Sequence, residues 1–255
     1  MSALAGPSPV RASRARLARC IVMVMVLMAC GTNPLSRKYE YEEEVYVDLD
    51  GSATVYVNAA VPALAALRGL DLPLDPRARL DSGDVRAVFE TAVSHVANLS
   101  TSRRDGRRYV HVRVDVQDIR RLGEAAPFAW STYGWDVSGE TAEYRQYVGE
   151  GAGRAVGDVG WTGHELVAFR LHLPSRVTFH NAPSRQILRG NIIVWEQPLP
   201  QRLEGVPIDI DVRMDSDSIL ENTLFLFAVM ILLVALTFGG FIWFIRSRGA
   251  GEQAD

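Results

Sequence analysis

Residues 109–116 read Tyr109-Val110-His111-Val112-Arg113-Val114-Asp115-Val116, with valine at every second position and polar side chains between. A period of two is the mark of a strand with one buried face. Asp105-Gly106 stands just upstream, and both residue types tolerate the positive φ of a type I′ hairpin turn. A two-residue loop there pairs Leu99 with Val112 and Ala97 with Val114, so the preceding segment buries the same face. This hairpin sets the expected fold class: α+β, an antiparallel β-sheet of hairpins with one or two packed helices.

Other segments follow the same period. Val45, Val47 and Leu49 alternate, as do Ala53, Val55 and Val57. A three-residue loop Asp50-Gly51-Ser52 would pair Leu49 with Ala53 and Val47 with Val55, with Gly51 supplying a positive φ. Val167, Phe169, Leu171 and Leu173 alternate until Pro174; Ile208, Ile210, Val212 and Met214 do the same. Residues 141–148 and 191–196 are further strand candidates. Helical spacing is confined to Val85, Val88, Phe89, Ala92 and Val93, capped by Ser82 or Asp84, and to a short stretch from Pro62 to Leu67. Residues 118–123 read as a single turn.

The two ends are different in kind. Residues 11–19 carry Arg11, Arg14, Arg16 and Arg19, and residues 20–29 (CIVMVMVLMA) are apolar but too short to span a bilayer. Residues 1–29 therefore read as a signal peptide. Its end, Leu27-Met28-Ala29-Cys30 before Gly31, resembles the lipobox of bacterial lipoproteins, which implies cleavage before Cys30 and diacylglycerol on its thiol. The alternative is an ordinary signal or an uncleaved anchor in which Cys30 is incidental. Residues 30–38 form a short linker, and residues 39–218 the extracytoplasmic domain. Thr223 to Ile245 (TLFLFAVMILLVALTFGGFIWFI) carry no charge over 23 residues, about 34 Å of helix. Residues 222–245 are thus expected to span the membrane. Arg246 and Arg248 then place the tail, residues 246–255, in the cytoplasm and the domain in the periplasm or outside the cell.

Composition narrows the function. The chain has 255 residues, with 27 basic and 30 acidic. Setting aside the four N-terminal arginines, Arg246, Arg248, Glu221, Glu252 and Asp255 leaves 21 basic and 27 acidic residues in the middle. An acidic domain is a poor partner for nucleic acid. Both cysteines, Cys20 and Cys30, lie in the targeting segment, so the mature domain has neither a disulfide nor a Cys-based metal site.

Catalytic and cofactor signatures are not found. His164-Glu165 lacks the second histidine of a zinc-protease helix, and no G-x-S-x-G or phosphate-loop sequence occurs. Gly151, Gly153 and Gly157 imitate a dinucleotide loop, but the last is one position late and no parallel βαβ unit surrounds them; residues 149–163 read as a mobile loop. No cofactor is expected, and the chain reads as non-enzymatic. Arg103, Arg104, Arg107 and Arg108 crown the hairpin turn and are candidates for gripping lipid phosphates, the alternative being a solvated tip. Trp130, Trp135, Trp161 and Trp195 are available for an apolar cavity or for the core. Glu40, Glu42, Glu43 and Glu44 read as a solvated strand edge.

The stretch from Leu171, LHLPSRVTFHN, is followed by the Trp-bearing NIIVWEQPL and by PIDIDVRM leading into the apolar run. With the lipobox and the basic tail, this resembles the LppM-like family of bacterial membrane-anchored proteins. The resemblance implies an envelope protein, and some members of that family are linked to binding cell-envelope lipids. This chain departs by longer insertions, notably residues 149–163, and no binding residue carries over. The partners expected are membrane lipids, through Cys30 and residues 222–245, and lipid or lipid-linked molecules at the membrane surface. The alternative is an accessory module that binds an envelope protein.

Overall fold

The computed structural model describes residues 39–217 and 219–249; Cys30 and the signal segment lie outside the described residues. The strands are β1 (Tyr39–Val47), β2 (Ala53–Ala60), β3 (His95–Arg104), β4 (Arg107–Val116), β5 (Ser131–Ser138), β6 (Thr141–Val148), β7 (Leu166–His172), β8 (Val177–His180), β9 (Ile192–Pro198) and β10 (Ile208–Asp215). The helices are α1 (Val61–Arg68), α2 (Ser82–Phe89), α3 (Leu199–Leu203) and α4 (Ile219–Gly249). The class is α+β, as expected, but the strands form two sheets. One has six strands in the order β3-β4-β2-β1-β7-β9, the other four in the order β5-β6-β10-β8.

The valine face of β4 is the core face: Val110, Val112, Val114 and Val116 are buried, opposite Val55, Val57 and Ala59 of β2. Asp105 and Gly106 both take positive φ, as a type I′ turn requires, and Leu99 pairs with Val112. One step further, a bulge at Ala97 intervenes, so Val96 and not Ala97 meets Val114. The bulge turns the larger Val96 into the core and leaves Ala97 exposed.

The first hairpin differs in register. Val47 pairs with Ala53 and Val45 with Val55, and the Asp48 N–H donates to Ser52 O. The tight loop is therefore 49–51, with Gly51 (φ +85°) as its last residue, where such loops place their left-handed position. The shift is by two residues, so each side chain keeps its face.

β1 also pairs in parallel with β7, Glu43 beside Phe169 and Val45 beside Leu171. A parallel pair needs a long crossover, and everything between residues 48 and 165 provides it. β1 is thus a central strand and not a solvated edge. The second sheet packs against the β1 side of this face: Glu43 reaches Tyr133 and Gln146, and Gly51 meets Trp135. α1 lies on β2 and β4, and α2 on β3. α2 is capped by Asp81, whose carboxylate accepts from the Gly83 N–H, in place of Ser82 or Asp84.

The six-stranded sheet has two distinct ends. Tyr39, Ala60, Leu166, Pro198 and the 105–106 turn stand at one; Val47, Ala53, Val116, His172 and Ile192 stand at the other. From Tyr109 to Val116 the sheet is about 23 Å long at ~3.3 Å per residue. α4 begins at the second end. The Asp215 N–H donates to Arg176 O, Ser175 Oγ to Asp217 O, and Ser216 Oγ to Gly139 O. In α4, Thr223–Trp243 has the length and apolar composition to cross a bilayer, and none of it is buried against the protein.

Candidate functional site: an arginine basin beside an apolar groove

The site lies at the hairpin-turn end. α1 stops at Gly69 in the left-handed conformation, and the chain then runs without regular structure to Asp81. Within it, Asp75-Pro76-Arg77-Ala78 makes a turn. Ala78 N–H donates to Asp75 O, and the Asp75 carboxylate accepts from the Arg77 N–H. Proline at the second turn position and Asp at the first are the residues this geometry selects. The turn leaves Arg77 and Arg79 exposed.

Arg108 fixes this segment to the hairpin. Its guanidinium is buried and donates to Ala78 O (2.6 Å) and Pro73 O, and its Nε has no partner. Burial, and then repulsion from Arg103, lowers its pKa from the ordinary arginine value, with Asp75 opposing. No carboxylate pairs with Arg77, Arg79, Arg103 or Arg108 among the described residues. Together with Thr101 and Ser102 these four arginines line an open basin of about 570 Å³. Guanidinium groups in such number suit phosphate or carboxylate.

On the other side of Arg108 lies a groove of about 560 Å³. Val61, Pro62, Leu74, Pro76, Val156 and Val159 give it apolar walls, and Asp75, Asp105 and Asp158 also line it. Its far wall is the glycine-rich segment, which is tied down along its length. Ala152 N–H donates to Leu67 O, Arg154 bonds Leu70 O and Asp71, and Trp161 Nε1 donates to Glu40. The buried Glu165 carboxylate accepts from the backbone N–H groups of Thr162 and Gly163. The expected mobile loop is therefore a pinned wall, because side chains of two arginines, a tryptophan and a glutamate bind its backbone or its neighbours.

The four arginines of the turn divide. Arg103 and Arg108 line the basin. Arg107 is buried, paired with Glu40 at 2.9 Å and donating to Val159 O and Gly160 O. Arg104 donates to Tyr39 O and stacks on Tyr109. Arg107 and Arg108 thus do not crown the tip; sheet-end carboxylate and carbonyl groups draw them inward. None of the four tryptophans lines the basin or the groove. Trp135 and Trp195 are core residues, and Trp130 and Trp161 pack against the core.

Between the sheets lies a buried polar cluster. Glu43, fully buried, accepts from Tyr41 Oη (2.7 Å), Arg68 Nη2 (2.6 Å), Tyr133 Oη (3.0 Å) and Gln146 Nε2 (2.9 Å). Burial pushes the Tyr41, Tyr133 and Tyr144 hydroxyls well above the usual phenol value, so they remain protonated donors. Arg68 Cζ sits 3.6 Å from the centre of the Trp130 ring. This cluster holds the sheets together and faces neither cavity. Among the described residues no three His, Cys, Asp or Glu side chains are grouped so as to hold a metal ion.

No family model matches the chain, and no curated protein matches it. One solved structure shows a distant likeness to it: the NMR structure of the folded domain of LppM from Mycobacterium tuberculosis. It is 14% identical, covers 72% of this chain and 95% of that domain, and superposes with a TM-score of 0.38.

Arg77 and Arg79 are the site residues that the sequence pattern did not single out. Their signal is there in Asp75-Pro76-Arg77-Ala78-Arg79, a turn followed by arginines on alternate positions.

Proposed function

We propose that this is a membrane-anchored, non-enzymatic envelope protein that binds an anionic amphiphile, a lipid or a lipid-linked molecule, outside the cytoplasm. The observation that carries the reading is the juxtaposition at Arg108: an arginine basin on one side, an apolar groove on the other. An anionic head fits the basin and an apolar portion fits the groove. The groove carboxylates, with Arg107 and Arg108 beside them, leave it without the net positive charge of the basin, so the anionic head favours the basin. Both cavities fall in the size range of small-ligand sites, about 300–1,000 Å³. Anchoring through α4, with Cys30 lipidated and residues 246–255 in the cytoplasm, is part of the same proposal. It is supported by the exposed apolar surface of α4 and by the charge pattern of the two ends.

The test is mass spectrometry of lipids that co-purify with the full chain in mild detergent. Anionic amphiphiles are expected on the wild type and lost from the Arg77→Ser/Arg79→Ser/Arg103→Ser variant, whose changes touch only exposed side chains. A wild type free of anionic amphiphile, or a variant carrying as much as the wild type, refutes the reading.

A further inference from the structure

The loop between β8 and β9 stands at the opposite end of the domain from the basin. Residues 183–190 are all exposed, and the loop carries Arg185, Ile187, Leu188 and Arg189. Ile187 is 46% and Leu188 43% exposed, adjacent in sequence and bracketed by arginines without ion pairs among the described residues. The loop is not loose. Leu188 and Ile192 exchange backbone hydrogen bonds, Gly190 and Asn191 take positive φ in the turn between them, and Ala182 is buried.

Its position is what gives it meaning. Asn191 Nδ2 donates to Ser175 O, and Ser175 Oγ donates to Asp217 O. One residue thus links the loop to the backbone that enters α4 at Ile219. The 139–140 turn meets the same junction through Ser216, and places Val137, 48% exposed, nearby. The loop that carries the apolar pair is therefore tied to the end of the domain from which α4 departs.

We propose that residues 184–190 are a membrane-contact element, in which Ile187 and Leu188 dip into the outer leaflet while Arg185 and Arg189 hold lipid phosphates. Apolar side chains flanked by arginine suit the boundary between headgroups and acyl chains, which such elements enter by about 5–10 Å. Arginine pairs with phosphate in two-pronged geometry, and its aliphatic stem tolerates the interface. The element fixes the height and tilt of the domain, which a single helix would leave free. It rests on the reading of α4 as a bilayer span.

The experiment uses the full chain with Cys20→Ala and Cys30→Ala, reconstituted into vesicles of phosphatidylcholine and phosphatidylglycerol. A polarity-sensitive nitrobenzoxadiazole label is placed in turn at Ile187→Cys, at Leu232→Cys within α4, and at Tyr147→Cys, an exposed site at the opposite end. Lipids carrying a nitroxide near the headgroup serve as quencher. Blue-shifted emission and quenching are expected at 187 and 232 but not at 147. Replacing Arg185 and Arg189 by Ser should weaken the quenching at 187 when phosphatidylglycerol is present. Quenching at 232 with none at 187 overturns the membrane contact and leaves the anchor standing. No quenching at 232 overturns the anchor and this inference with it. Quenching at 187 that is indifferent to the two arginines overturns their assigned role.

Discussion

Replacing Glu43 by Gln tests the centre of the fold with almost no change of shape. The carboxylate is fully buried, and the Arg68 side chain that it pairs with is only 2% exposed. Removing the negative charge leaves the guanidinium buried and uncompensated, at a cost of about 3–5 kcal/mol. The amide also turns an N–H₂ group toward some of the four donors that converge on Glu43, so at least one hydrogen bond becomes a clash of donors. Domains of this size are stable by about 5–15 kcal/mol, and ~1 kcal/mol corresponds to about 2–4 °C in Tm. The expected loss is therefore about 6–20 °C by the same conversion, read as thermal unfolding of the full chain in mild detergent. Tryptophan fluorescence is a direct probe, since Trp130 stacks on Arg68. The pair Glu43→Gln/Arg68→Met should recover part of the loss, because it removes the uncompensated guanidinium while the introduced amide carbonyl still accepts from the buried Tyr and Gln146 donors. A loss below about 1 kcal/mol for Glu43→Gln, or a double variant no better than the single, would refute the argument.

Gly51→Ala and Gly106→Ala separate two costs. Both glycines have positive φ, which costs a side-chain-bearing residue about 1–2 kcal/mol. A Cβ at Gly51 would also lie 2.9 Å from Trp135 Cδ1, whereas at Gly106 nothing lies within 4 Å. Gly51→Ala should lower Tm more than Gly106→Ala, and equal shifts would remove the Trp135 contact from the explanation. Glu165 gives a pH dependence. Burial opposes its charge, but the N–H groups of Thr162 and Gly163 outweigh it and hold the pKa below the usual carboxylate value. The sign follows: stability from a depressed carboxylate is full above its unfolded value, about 4.3, and is lost as pH falls through the folded value. Protection of the 162–163 amides, taken as exchange relative to the intrinsic rate at each pH, should therefore fall on acidification in the wild type, and Glu165→Gln should abolish that fall while lowering protection at neutral pH.

What could be read in the sequence was whatever rests on one strand and its neighbour. β4, β6, β7 and β10 announce themselves because one face is buried and the alternation is complete. The Asp105-Gly106 turn does so because its chemistry is local. β5 does not: Ser131-Thr132-Tyr133-Gly134-Trp135-Asp136 breaks its pattern with Gly134 and hides its inward Tyr133 and Trp135 among polar neighbours. The acids of β1 mislead for a different reason. Glu40 and Glu43 are buried because Arg107, Tyr109 and Trp161 in one case, and Arg68, Tyr133 and Gln146 in the other, converge on them. Those partners come from 25 to 121 residues away, a separation at which periodicity carries no information. The basin shows the same division. Arg103 and Arg108 stand out as a charge cluster beside a turn, while Arg77 and Arg79 join them only when Arg108 ties residues 73 and 78 to the hairpin.

The placement of the site at one end of β1 and of the long apolar helix α4 at the other bears on what the site can be for. With the strands upright, the basin is about 23 Å or more above the junction with α4, well beyond the ~8 Å over which charges are felt in physiological salt. Its arginines are then screened from the leaflet's own headgroups and do not compete for them. They meet only a ligand lifted out of the bilayer, or the distal part of a long lipid-linked molecule. Lipidation of Cys30, as proposed, is compatible with this posture, since nine residues, 30–38, span at most about 30 Å at ~3.3 Å each. It would also permit the strands to lie flat, with the basin on the headgroups. The 184–190 loop distinguishes the two, because its apolar pair stands at the α4 end of the sheet and enters the leaflet when that end faces down. On the proposed reading, a domain seated on Ile187 and Leu188 would hold Arg77, Arg79, Arg103 and Arg108 away from its own membrane, the posture of a protein that receives or presents an amphiphile rather than adhering to the surface.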